Sequence, residues 1–162
     1  MQFHLKYDAF MQGSFEPKEK NIAYIFQVNC PGCFIYGFPL INAWYKEHAQ
    51  EVGFIGISTC FEDFELNTPE NTEQLLNSGS MVGETLKYFS GQNINVYTDI
   101  PQFPIAFDAA ISPSEFLTQE NVNSISQTIP GYHQASVEQQ KSVKHSIKNY
   151  YSSLPKIAFT FT

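Results

Sequence analysis

Ile22-Ala23-Tyr24-Ile25-Phe26-Gln27-Val28-Asn29-Cys30-Pro31-Gly32-Cys33 is the stretch on which the fold turns. Its first seven residues form an apolar run of strand length, expected as a buried central strand. Phe34 to Gln50 then carries helical spacing, so the two cysteines stand at a strand-to-helix junction. Such a junction sets the first sulfur against the positive end of the helix and its unpaired backbone N–H groups, which makes Cys30 the natural nucleophile. Cys33 follows one turn later on the same face, placed to attack a mixed disulfide at Cys30 and so to act as the resolving thiol. Pro31 suits the first helical position, where a missing N–H costs nothing.

The rest of the composition narrows what this pair can be for. A chain of 162 residues with 43% apolar and 15% aromatic side chains can build a single domain with a proper core. Its formal charge is −7 and its nine basic residues are all lysines. Nucleic acid is disfavoured as a partner, because phosphate binding needs clustered cations to release counterions. No apolar run approaches the ~20 residues that span a bilayer, and Met1 to Phe15 lacks the cationic start and apolar core of a secretory leader. The expectation is a soluble cytoplasmic protein, or a periplasmic one if a leader has been removed. Three cysteines are too few for a disulfide scaffold. Structural zinc would want further ligands at regular spacing, whereas His4, His48, His133 and His145 are scattered singly, so no metal site is expected. Two buried, inert thiols are the bland alternative.

In chain order, Phe3 to Tyr7 alternates as a short edge strand, and a loop runs on through Gly13 and Pro17. In the helix after Cys33, Ile41, Trp44 and Tyr45 are spaced for the core, and Pro39 predicts a bend near Tyr36 to Phe38. Val52 to Ser58 is the next strand, parallel to the first through the helical crossover. Cys60 ends it, either as a small buried residue or as a third thiol within reach of the pair. The acidic, aromatic segment Phe61-Glu62-Asp63-Phe64-Glu65 reads as a solvated loop, with proton transfer near the thiols as the alternative. Thr68 caps a helix with Pro69 in its first turn, and Gly79 breaks it before a second piece whose apolar side is Val82, Leu86 and Phe89. Asn93 to Thr98 and Phe103 to Asp108 contain a strand entered through prolines. The Ser-, Gln- and Asn-rich stretch from Ala109 is expected as a polar insertion at about 109–136 within one domain covering 1–162. Val137 to Tyr151 returns to helical spacing through Val143, Ile147 and Tyr150, and Leu154 to Thr162 reads as a strand.

Phe26 to Cys33, Gly37-Phe38-Pro39, Val52 to Thr59 with Phe61-Glu62 after it, and Phe103 to Asp108 together resemble the thioredoxin-fold redoxins, in their TlpA/ResA-like and peroxiredoxin-like branch. The likeness covers roughly Asn21 to Asp108 well and the remainder weakly. It implies a three-layer α/β/α sandwich with a central mixed sheet, Cys30 exposed and Cys33 more buried. It also implies a cis-proline at the start of a later strand that faces the cysteines and binds substrate backbone. No Gly-Thr-Pro-like segment occurs, and Pro155, next to Leu154, is the better positional match, with Pro104 as the runner-up. Substrate contacts are then expected from Leu154, Pro155, Pro31 and Gly32. Family members continue past this strand with another strand and a helix, whereas this sequence stops at Thr162; either those elements are lacking, or the early strand and the insertion take over their packing.

Three functions follow. The first is a thiol–disulfide oxidoreductase with catalytic Cys30 and Cys33, no cofactor, and as partners a disulfide-containing protein or small-molecule disulfide and an external reductant such as a thioredoxin or glutathione system. The second is a thiol peroxidase, in which Cys30 becomes a sulfenic acid resolved by Cys33 or Cys60. It ranks lower because the chain has no arginine and has Phe26-Gln27-Val28-Asn29 before Cys30, where peroxiredoxins carry a Pro-x-x-x-Thr-x-x-Cys segment. The third is a redox-silent binding module on the same fold.

Overall fold

The structure, a computed structural model, describes residues 3–4, 7–158 and 160–161. In chain order its elements are β1 (Phe3–His4), β2 (Tyr7–Gln12), β3 (Lys20–Phe26), α1 (Phe38–His48), β4 (Val52–Ser58), α2 (Pro69–Ser78), α3 (Gly83–Ser90), β5 (Ile105–Asp108), α4 (Pro113–Phe116), α5 (Gln119–Thr128), α6 (Val137–Ser152) and β6 (Thr160–Phe161). They fall into two compact units, one of Tyr7–Ala109 and one of the described residues of Met1–Lys6 and Ala110–Thr162.

The first unit is an α/β structure around a four-stranded mixed sheet of order β2-β5-β4-β3. β3 and β4 pair in parallel from Lys20 opposite Val52 to Phe26 opposite Ser58, and β4 pairs in parallel with β5. β2 closes the other side antiparallel to β5. The run expected as a central strand is therefore an edge strand. β4 takes the interior position, and its residues from Gly53 to Ser58 are all buried. What made β3 look central is an aromatic layer against it. Phe26, Phe34, Phe38 and Phe103 are fully buried there with Leu75 and Ile105, and Tyr24 packs onto them. Close approach of the strands to this layer requires glycine at position 56, where a Cβ would collide with Ile105 and Phe103.

Trp44 is not a core residue: it is exposed, and Phe38, Ile41 and Asn42 carry the inward face of α1, with the partly buried Tyr45 edge-on to Phe54 at 5.5 Å. In α3 the buried residue is Thr85, while Leu86 is exposed. Residues 93–98 form turn and loop, and the strand entered through prolines is β5 alone. Asn42, buried in α1, holds this approach to β5. Its amide donates to Asp99 and to the Ile100 carbonyl, and its oxygen accepts from the Gln102 N–H at 2.9 Å. α2 forms as expected: the Thr68 hydroxyl accepts from the Asn71 N–H, and Gly79 stops the helix at φ 69°.

In the second unit the polar stretch is helical. Ser112 and Ser136 each form a capping box, with Glu115 and Gln139 reaching back to the cap N–H, and Thr118 caps α5. α5 and α6 pack together, and Phe116, Val122, Tyr132, Ile147 and Ile157 are buried. The stretch expected as a polar insertion at about 109–136 is thus largely helical, and from Ala110 on it falls within this unit. β1 and β6 pair antiparallel, and Ile111 bridges Ile157. The parts of the expected terminal strands at Leu5, Lys6, Phe159 and Thr162 lie outside the described residues. Among the described residues no helix is long and apolar enough to cross a membrane.

Candidate functional site

β3 ends at Phe26, the buried Gln27 and Val28 continue it, and a turn at Val28-Asn29 delivers Cys30 to the carboxyl end of the sheet. The chain becomes helical at Pro31, and the Cys33 N–H donates to the Cys30 carbonyl at 3.0 Å. Both cysteines are free and both are half-buried, so Cys30 is less open than the resemblance implied. Gly32 faces open space, and Pro31 sits beside it in the first turn. From Cys33 to Gly37 the helix is a π-helix, and the Phe38 N–H reaches back five residues to the Cys33 carbonyl. The cause is Pro39, which has no N–H to offer the Ile35 carbonyl. The bend expected near Tyr36 to Phe38 takes this form, widening the turn that carries Cys33.

The turn before Cys30 is fixed from three sides. Its Asn29 N–H donates to the Asn67 side-chain oxygen at 2.9 Å, and the Asn29 amide donates to the Asp63 carboxylate at 2.8 Å. The Asn29 oxygen accepts from the Glu84 N–H, at 2.7 Å, in the first turn of α3. Next to it the Thr85 hydroxyl donates to the Val28 carbonyl at 2.9 Å. Gly83, at φ 50°, leaves room for the Asn29 side chain, which a Cβ would strike. Asp63, from the acidic segment, thus serves as an acceptor that holds the turn. Asn29→Ala should lower stability by about 1–2 kcal/mol, the worth of two or so hydrogen bonds, seen as a lower denaturation midpoint. An unchanged midpoint would show that the turn holds its shape without the side chain.

Cys33 has the more enclosed thiol. Burial pushes its pKa up to about 11, a hydrogen bond with the Cys30 side chain adds to this, and the Gln27 N–H opposes it. The Tyr24 hydroxyl lies beside Cys33 and donates to its carbonyl at 3.2 Å. Burial, then the neighbouring Cys33, holds the Tyr24 phenol above its ordinary pKa, so it stays neutral. Behind it the Tyr97 hydroxyl donates to the Phe34 carbonyl at 2.7 Å.

The remaining candidates are placed as follows. Cys60 is buried just past the end of β4. Pro104 lies in the first unit, where its carbonyl accepts from the Gly56 N–H at 2.8 Å as β5 begins. Leu154 and Pro155 belong to the second unit, after α6. No peptide bond among the described residues is cis, which overturns the expected cis-proline at both Pro155 and Pro104. A groove built on a cis-proline therefore has no support, while the cysteine geometry does not depend on it. No family model, curated protein or solved structure matches the chain.

Sequence reasoning passed over Asn29 and Tyr24. Both had a signal: an amide directly before Cys30 in a turn, and a hydroxyl two residues before Phe26, on the same face of the strand.

Proposed function

We propose that the protein is a thiol–disulfide oxidoreductase of thioredoxin-like architecture. The observation that carries this reading is the pair of free thiols at a helix start, Cys30 capping the first turn and Cys33 hydrogen-bonded to it. The order of β3, cysteine pair, α1 and parallel β4 supports the architecture.

The Cys30 thiolate attacks one sulfur of a substrate disulfide, forming a mixed disulfide and releasing the other sulfur as a thiol. Cys33 loses its proton and attacks the Cys30 sulfur, closing the Cys30–Cys33 disulfide and releasing the second substrate thiol. The substrate gains two electrons and two protons, and an external dithiol or glutathione system returns them to the protein. A disulfide-containing protein or a small-molecule disulfide fits this chemistry as substrate.

The test is covalent trapping. With a model disulfide, Cys33→Ser should accumulate one mixed disulfide on Cys30, visible by intact mass, and Cys30→Ser should form none. Equal labelling of both variants, or of neither, would defeat the assignment of roles.

A further inference from the structure

Resting on the oxidoreductase reading, we infer that Tyr24 is a positioning residue for the second half of the reaction: its hydroxyl, seated over Cys33 in space left by Gly37, steadies the Cys33 thiolate as it attacks the Cys30 sulfur.

The seat is specific. A Cβ at position 37 would overlap the Tyr24 hydroxyl and the ring carbon that bears it, so only glycine there lets the phenol reach Cys33. The ring cannot easily yield, because it lies against Phe26, Phe38 and Phe103 at centroid distances of 5.9, 5.8 and 6.4 Å. The wider π turn leaves the Cys33 carbonyl accepting from both the Phe38 N–H and the Tyr24 hydroxyl. Among the described residues, the titratable groups acting on Cys33 are Cys30 in its own helix and Tyr24 on β3, with Tyr97 behind Tyr24 and Asp99 beyond. The Tyr24 phenol, held above its ordinary pKa by burial, stays protonated and is no base at neutral pH. Tyr24 contributes instead as a hydrogen-bond donor: its single O–H, given to the Cys33 carbonyl while the thiol is neutral, turns to the neighbouring sulfur once that is anionic, where a donor is worth more. The proton leaving Cys33 passes to solvent or to the departing substrate thiolate, so the step balances without another reactant.

The test uses 5,5′-dithiobis(2-nitrobenzoate) on the reduced full chain. Attack by Cys30 releases one coloured thiolate, and resolution by Cys33 releases a second. In Tyr24→Phe, which keeps the ring and its packing, the second phase should slow about tenfold and its pH profile move up by about one unit, while the first stays within about twofold. Gly37→Ala, which keeps the hydroxyl but denies it its seat, should slow the same phase. If both phases of Tyr24→Phe match wild type, or both slow together, the inference is overturned. A wild-type protein that releases no second thiolate refutes the oxidoreductase reading itself, a result distinct from either.

Discussion

Phe38→Ala is expected to lower stability by about 3–5 kcal/mol, the cost of removing a buried aromatic ring and leaving a cavity. Phe38 is fully buried, and its ring stands edge-on to Phe26 at 4.9 Å and to Phe34 at 5.0 Å, with Tyr24 at 5.8 Å. It is the residue through which the helix after the cysteines is fastened to β3. Collapse into the vacancy is opposed on both sides. The Phe38 N–H closes the π turn on Cys33, and Pro39 fixes the backbone just after it. A denaturant titration should show a midpoint far below wild type with a similar slope. A loss below about 1 kcal/mol would mean that the aromatic layer repacks freely, and that the seat of Tyr24 is not rigid.

The cysteine-bearing half of the fold was legible because its signals are local. Thr68 with Pro69, Gly79, and the apolar run of β4 each act within a few residues, and the elements formed where those residues put them. Position within the sheet was not legible. An apolar run such as Ile22 to Val28 reports that a face is covered, and here the cover is an aromatic layer on an edge strand. β2 was missed because its pairing with β5 shifts register twice, between Tyr7 and Phe10 and between Phe10 and Gln12, which breaks the alternation that marks a strand. The polar stretch after Ala109 did contain helix signals, Ser112-x-x-Glu115 and Ser136-x-x-Gln139, masked by a composition that looks like loop. At the site, the cysteines announced themselves by spacing. Tyr24 did not, because its contact with Cys33 depends on what is missing at Gly37.

On the proposed oxidoreductase reading, the enclosure of Cys33 sets the pH dependence of resolution. The nucleophile in resolution is the thiolate, and burial favours the neutral thiol, holding Cys33 up to about 11. At pH 7 only about one molecule in ten thousand carries the Cys33 thiolate. The rate of the second thiolate release should therefore climb about tenfold per pH unit, roughly a hundredfold from pH 7 to 9, without levelling where an ordinary cysteine would, near ~8.5. Stability moves the other way. A folded state that holds this proton more tightly than the unfolded chain loses that advantage as pH rises from the ordinary cysteine range through about 11. Rapid mixing across this range, at fixed ionic strength, reads the resolution profile directly. A plateau by pH 8.5 would show that Cys33 becomes solvated once Cys30 is engaged, and that opening of the site, not the buried thiol, governs release. A continued rise makes deprotonation of Cys33 the step on which turnover waits, and it is at this step that the hydroxyl of Tyr24 acts.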